Sequence, residues 1–289
     1  MASLRTTFPV CNYDLAATLG CGQAFRWEQH GRSWTGVVHG RWVELSQEDN
    51  QILARCAAPQ SDWRWLAEYL QVATELPPIL ATFPEDAPMR DAVANCRGLR
   101  LLRQAPWECL ASFILSSTKQ IVQIRQIIRL LAAAHGDSVT VPRGVAPAFA
   151  FPRPEQIAAL SEAELRACKM GFRAPHLLHA ARTVASGGLE LDQLRALELP
   201  RARERLLGLP GVGPKIADCV LLFAYGFPTA FPVDVWVMKA LRQSYFPERP
   251  VSLATLREFS ATHFGPHGGY AQQYLFHNLR RTEGKKLSQ

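Results

Sequence analysis

The run Leu207-Gly208-Leu209-Pro210-Gly211-Val212-Gly213-Pro214-Lys215-Ile216-Ala217-Asp218 constrains this chain more than any other stretch. An apolar-periodic segment ends near Leu207, and three glycines and two prolines then prevent the helix from continuing. A second periodic segment opens at Pro214. Proline suits the first turn of a helix, because the N–H it lacks would have no partner there. Gly211 and Gly213 leave no side chain between the main-chain N–H groups of the turn, including that of Val212, and an approaching anion. The N-terminus of the second helix adds positive potential. This pattern predicts a helix–hairpin–helix that binds a phosphate backbone. A plain interhelical turn does not require this ordered Leu-Pro-Gly-Val-Gly-Pro-Lys.

Lys215 falls in the first turn of the second helix, where the helix dipole disfavours a cation and favours a neutral, nucleophilic amine. The same lysine also suits simple phosphate neutralisation, and the hairpin alone does not separate the two. Ala230-Phe231-Pro232-Val233-Asp234-Val235-Trp236 follows after one Gly-Phe-Pro turn. Asp234 reads as the N-cap of the next helix. A carboxylate held there also stabilises the oxocarbenium character that develops when a glycosidic bond breaks. Capping and catalysis are compatible, since the cap makes the carboxylate rigid. Cys219, four residues after Lys215, shares its helix face and serves either as core filler or as a pocket wall.

The formal charge supports a polyanionic partner, with 32 Lys and Arg against 25 Asp and Glu, 32 − 25 = +7. Seven cysteines without a Cys-x-x-Cys spacing argue against a disulfide framework, a zinc ribbon or an iron–sulfur cluster, and fit a reduced intracellular compartment. His263 and His267 flank Gly265-Pro266, which breaks a helical ligand pair, so no metal is expected and activity should survive chelation. No apolar run is long enough to span a bilayer.

The N-terminal part predicts strands at Trp34–Val38 and Arg41–Leu45 around a His39-Gly40 turn. A helix is then expected from Ser61-Asp62, with Trp65, Leu66, Tyr69 and Leu70 on one face. Beyond the prolines near residue 85 the periodicity is helical: 107–116, 121–134, 155–160, 161–168, 174–185, 215–225, 235–243, 253–264 and 269–281. The expected class is α+β, with a small antiparallel β domain over residues 1–85 and a larger α-helical domain over 86–289.

Several separated motifs lie in one order: Gly22-Gln23-Ala24-Phe25-Arg26-Trp27, Leu101-Leu102-Arg103-Gln104 through Glu108-Cys109, Ser116-Ser117, Gly171-Phe172-Arg173-Ala174, the Lys215 hairpin, Phe231-Pro232-Val233-Asp234, and Phe264-Gly265-Pro266 with Tyr270-Ala271-Gln272 and Phe276. Together they resemble the helix–hairpin–helix glycosylases with a Gly-Pro-Asp region, and within them the 8-oxoguanine DNA glycosylases of the eukaryotic type. The resemblance implies a TATA-box-binding-protein-like β domain and a bifunctional glycosylase and AP lyase. It implies Lys215 as Schiff-base nucleophile and Asp234 as its electrostatic partner. Gly22 would accept the N7–H that marks 8-oxoguanine, and Gln272 would read the Watson–Crick edge. The flipped base would stack between Phe276 and Cys219 beside Pro232. Phe172 would wedge the vacated site and Arg173 would read the orphaned cytosine. It further implies a monomer on double-stranded DNA with an oxidised purine, in cytoplasm, nucleoid or nucleus, and a structural monovalent cation on the carbonyls of Leu207, Leu209 and Val212. Taken without the resemblance, Gln272 reads as a surface glutamine, Phe276 as a core aromatic and Arg173 as a phosphate contact.

The chain departs from that family in three places. Thr118-Lys119-Gln120 replaces a run of asparagines, which puts the shorter Thr118 at the emptied gap. Gln123 stands where a second cytosine-reading arginine is usual, and Trp236 where a histidine is. Loss of one bidentate arginine removes about 1–3 kcal/mol of discrimination, which takes away the basis for a strict preference for cytosine. Two rivals remain to be weighed. Alkylated-base glycosylases usually lack the hairpin lysine, which speaks against them here. A non-catalytic DNA-binding hairpin protein would not need Lys215, Asp234 and Gln272 together.

Overall fold

A computed structural model describes residues 2–117 and 120–286. Its N-terminal part is a five-stranded antiparallel sheet, β1 (Ser3–Pro9), β2 (Glu28–His30), β3 (Ser33–Val38), β4 (Arg41–Glu48) and β5 (Gln51–Gln60), ordered β1-β5-β4-β3-β2. The expected hairpin is β3–β4, with Val38 opposite Arg41. His39 and Gly40 both take positive φ, 48° and 71°, the turn whose twist matches that of the flanking strands. Trp34 and Val38 alternate inward along β3, and Leu45, Ile52 and Ala54 line the same buried side. Helix α1 (Leu15–Gly20) is capped by Asp14, whose carboxylate accepts from Ala17 N at 2.8 Å. Helix α2 (Arg64–Leu70) begins later than the Ser61-Asp62 signal, because Asp62 accepts from Arg64 N in a turn ahead of the helix. It buries Leu66, Tyr69 and Leu70 as expected, while Trp65 stays half-buried.

The remainder is helical: α3 (Leu76–Leu80), α4 (Ala87–Asn95), α5 (Pro106–Leu115), α6 (Ile121–His135), α7 (Pro154–Ala158), α8 (Glu162–Ala167), α9 (Ala174–Ala185), α10 (Leu199–Leu207), α11 (Pro214–Val220), α12 (Val235–Tyr245), α13 (Leu253–His263) and α14 (Gly268–Lys286). The helix expected over 215–225 is only half α. After Val220 it widens into a π turn, Leu221–Tyr225, which Gly226 ends in the left-handed region at φ 79°. A small β6–β7 pair (Ser138–Val139 with Ala148–Phe149) had no signal in the sequence. Among the described residues, no helix is long and apolar enough to cross a membrane.

Two apolar cores meet across the joint between sheet and helices. Leu102 packs into the sheet's core, whereas Ala17, Cys21, Phe25, Leu76 and Phe83 pack into the helical one. Arg100 pins the joint. Its buried guanidinium donates to the carbonyls of Cys11, Asn12, Gly98 and Thr74 at 2.8–3.2 Å. A buried charge is tolerable only when so fully hydrogen-bonded. The joint matters because it fixes the segment carrying Gly22 against α14.

Candidate active site

The predicted hairpin is the turn between α10 and α11. Arg203 on the first helix and Asp218 on the second form an ion pair at 2.7 Å, although burial pushes the Asp218 carboxyl above its ordinary range. Gly211 has φ +82°, and a Cβ there would meet the His176 ring at 2.5 Å, so the turn itself requires glycine. Gly213 is different. Its φ of −93° suits any residue, and a Cβ on it would meet nothing within 4 Å. Gly213 is the N-cap of α11, a position that favours glycine over alanine, and its missing side chain also leaves the turn open to close approach by another molecule. Val212 is turned inward and its N–H donates to Leu209 O at 3.0 Å, so that N–H is already engaged within the turn.

Helix α11 carries Lys215 over α5. Its Nζ donates to Ser116 Oγ at 3.1 Å, and the Ser116 hydroxyl in turn donates to Phe113 O at 2.7 Å. The Phe113 ring lies beneath the amine, 5.1 Å from Nζ to the centroid. The lysine is half-buried, held by one hydroxyl and one ring face.

Asp234 is the N-cap of α12, as expected. Its Oδ1 accepts from Trp236 N at 3.0 Å and Val237 N at 2.8 Å. The segment before it, Phe231-Pro232-Val233, is buried, with Phe231 stacked on Phe264 at 5.0 Å. Lys215 and Asp234 both act on Cys219. Burial pushes that thiol up to about 12, nearby Lys215 opposes the rise, and nearby Asp234 adds to it. Cys219 is therefore a neutral thiol, with Lys215 on one side of the balance and Asp234 and Asp218 on the other.

A second cluster forms where the segment after α1 meets α14. Gly22 has φ +89°, and a Cβ on it would lie 3.5 Å from the Phe276 ring and 2.9 Å from both Ile121 Cδ1 and Arg280 Nη1. Cys21 O accepts from Gln273 Nε2 at 3.3 Å and from Arg280 Nη1 at 3.5 Å. Gln23 anchors the other side, donating to Thr18 O and Arg100 O and accepting from Leu102 N. Gly22 is thus held between two fixed neighbours. Gln272, on the same helix as Phe276, is 4% exposed, and its Oε1 has no hydrogen-bond partner among the described residues. Leaving a buried acceptor unpaired costs about 1–3 kcal/mol, which a bound donor would recover.

The residues expected on the outer DNA face are more dispersed. Phe172 is 56% exposed beside Gly171, the exposure a wedge requires. Arg173 is 2% exposed, stacks on Phe172 at 4.2 Å and donates to Met170 O and Ser117 O. Its guanidinium is therefore turned inward here rather than toward an opposite base. The side chain of Gln123 closes the capping box of α6, its Oε1 accepting from Gln120 N at 3.2 Å. Trp236 is half-buried next to Asp234, with Lys239 Nζ 5.9 Å from its ring. Thr118 lies outside the described residues. His263 and His267 are used separately, by Asp86 at 2.9 Å and Thr82 at 3.1 Å. No group of three or more His, Cys, Asp or Glu is arranged for a metal among the described residues.

Three contributors escaped the residue-level reading: Phe113, which floors the lysine, Ile121, and Arg280. Ser116 stood inside a quoted motif, but no periodicity links it to a lysine 99 positions away. Arg280 sits one turn beyond Phe276 on α14, and that spacing was the one available clue.

Residues 5–110 match the family described as 8-oxoguanine DNA glycosylase, N-terminal domain, and residues 111–261 the family described as HhH-GPD superfamily base excision DNA repair protein. The chain is 31% identical to a probable N-glycosylase/DNA lyase of Methanothermobacter thermautotrophicus, over 95% of this chain and 96% of that one. It is 30% identical to an N-glycosylase/DNA lyase of Arabidopsis thaliana, over 91% of this chain and 76% of the relative. The fold is similar to that of the Clostridium acetobutylicum 8-oxoguanine glycosylase/lyase in complex with double-stranded DNA containing cytosine opposite 8-oxoguanine. That similarity has a TM-score of 0.90, 29% identity and 98% coverage of both chains.

Proposed function

The chain belongs to the HhH-GPD superfamily of base-excision DNA repair proteins and, within it, to the 8-oxoguanine DNA glycosylases, and from that premise we propose how its residues divide the work. The protein is a bifunctional N-glycosylase and DNA lyase that removes 8-oxoguanine from double-stranded DNA. The hairpin around Gly211, Val212 and Gly213 takes a backbone phosphate, Phe172 fills the stack, and the lesion turns outward into the space bounded by Gly22, Phe276, Gln272 and Cys219. Gly22 O accepts the N7–H that guanine lacks, and the buried Gln272 Oε1 accepts from the Watson–Crick edge. The relaxed opposite-base preference inferred from Gln123 has support in its side chain being engaged in the α6 cap.

Chemistry uses the Lys215 side-chain nitrogen as nucleophile. The N9–C1′ bond breaks with its electron pair leaving on the base, which gains a proton, and the Asp234 carboxylate faces the positive charge developing on the sugar. The Lys215 nitrogen forms the new bond to C1′, and ring opening gives the Schiff base. Loss of a C2′ proton then expels the 3′ phosphate by β-elimination. Ser116 and Phe113 hold the amine in place before attack, and the α12 cap keeps Asp234 from turning away. The observation that carries this reading is that Lys215, in the first turn behind the hairpin, is held by Ser116 Oγ at 3.1 Å over the Phe113 ring, while two backbone N–H groups fix the Asp234 carboxylate at the start of α12.

The hairpin turn also suits a monovalent cation. Leu207, Leu209 and Val212 offer neutral carbonyl oxygens, the donor type for a hard cation, and Leu209 O has a second lone pair beyond its bond to Val212 N. Such an ion would stiffen the turn and add positive charge facing the phosphate. The protein acts on DNA as a monomer in this reading, within the reduced compartment that its seven free cysteines favour.

The test is incubation with an 8-oxoguanine:cytosine duplex and borohydride. A covalent protein–DNA adduct that disappears in Lys215→Gln, with excision falling by a factor on the order of 10³ or more, is the expected result. Base release without an adduct would replace the Schiff base with an aspartate-led hydrolysis. Neither release nor adduct despite tight binding would overturn the assignment.

A further inference from the structure

Arg280 takes no part in the steps above, yet its guanidinium is held at the rim of the base pocket. It stacks over Phe276 at 5.4 Å, donates to Cys21 O at 3.5 Å, and its Nη1 lies 2.9 Å from where a Gly22 Cβ would be. Burial disfavours its charge, and the neighbouring Cys21 and Asp234 groups offset part of that. A partly desolvated cation therefore sits beside the main-chain segment that meets the N7 edge of the base.

We infer that Arg280 is a specificity-determining residue, which donates a hydrogen bond to the C8 carbonyl oxygen of the flipped 8-oxoguanine. The inference rests on the reading of Gly22 as the N7–H acceptor. The oxidised edge presents a donor, N7–H, next to an acceptor, C8=O, and guanine has neither in that form. A carbonyl can take only the first half of that edge. The guanidinium, next in line, offers five N–H donors in a planar fork, and the bond to Cys21 engages one of them at the long end of the range. Its contacts with Cys21 O and the neighbouring Phe276 ring limit the freedom it would lose on binding. Guanine places a C–H against the same donors, so the contact attracts the lesion and gives the normal base nothing.

The test is equilibrium binding by Arg280→Leu and Arg280→Gln, each placed in the Lys215→Gln protein so that no turnover occurs. Three duplexes differ at one position only, which carries 8-oxoguanine, guanine or a tetrahydrofuran abasic analogue. Arg280→Leu is expected to weaken binding of the 8-oxoguanine duplex by about tenfold to a hundredfold, the loss of one charge-assisted hydrogen bond, and to leave the other two unchanged. Arg280→Gln, which keeps an N–H donor, recovers part of the loss. Equal weakening on all three duplexes assigns Arg280 to the phosphate backbone or to the fold and overturns the proposal, as does no weakening on any. A Lys215→Gln parent that fails to separate 8-oxoguanine from guanine overturns the underlying reading of Gly22, an outcome visible before Arg280 is altered.

Discussion

The hairpin proposed to bind phosphate and the proposed base pocket are built in opposite ways. The hairpin is local: its turn, its two helix ends and its Arg203–Asp218 ion pair all come from residues 203–218. The pocket draws Gly22 from the segment after α1, Cys219 from α11, and Gln272 and Phe276 from α14. It also needs Arg100 and Gln23 to hold the joint between sheet and helices. A local device survives small changes elsewhere and, in the proposed role, would grip any duplex. A device assembled across 250 residues is sensitive to each anchor and can afford to be selective. The division teaches where affinity and where discrimination should fail on mutation.

Gly22→Ala tests the assembled region most severely. Its φ of +89° strains any side chain, and the new Cβ would press on Ile121 and Arg280 at 2.9 Å. We expect a stability loss of about 1–3 kcal/mol in denaturant unfolding. Single-turnover excision should fall on the order of 10²-fold, because the acceptor of N7–H is displaced. Unchanged excision would break the comparison at its centre.

Gln272→Leu should separate stability from selectivity. Removing the unpartnered buried Oε1 leaves stability unchanged or raises it by up to about 1 kcal/mol. Affinity for the 8-oxoguanine duplex should drop roughly tenfold or more, with binding to an abasic duplex unaffected. Loss on both duplexes would show that Gln272 supports the fold instead.

Gly213→Ala sharpens the other side. A methyl group there meets nothing in the free protein, so the melting temperature should fall only slightly, by the exchange of a glycine for an alanine N-cap. Affinity should fall about tenfold for damaged, undamaged and abasic duplexes alike, with a shallower salt dependence. A loss confined to 8-oxoguanine would mean that the hairpin contributes to discrimination.

The smallest effect concerns acid. Burial, aided by the charges of Arg281 and Arg280, lowers His277 on α14 to about 4 from an ordinary 6.5. The unfolded chain therefore binds this proton more readily than the folded one. The stability it contributes is present above pH ~6.5 and is lost as the pH falls from there through about 4. His277→Gln should flatten that decline in a pH series of unfolding curves, and an identical slope in the variant would remove His277 as its source.

The strongest local patterns were legible directly. Alternation at Trp34 and Val38 marked a strand, His39-Gly40 its turn, and the glycines and prolines of 208–214 the hairpin, because each is decided by steric rules acting over a few residues. The helix over 215–225 was legible only in part, since nothing in its periodicity signals a π turn after Val220. Asp234 as a cap followed from its position before Val235, while its bearing on Cys219 did not.

The sequence by itself determined the fold class and the hairpin and singled out Lys215 as the proposed nucleophile, since local sterics and an ordered set of motifs suffice for those. Only the tertiary structure decided that Ser116 and Phe113 hold Lys215, that Arg173 turns inward, and that Arg280 reaches the rim beside Gly22. Those contacts join residues 56 to 258 positions apart in the chain, and no periodic pattern carries information over such a separation, because only the packing of whole elements brings them within bonding distance.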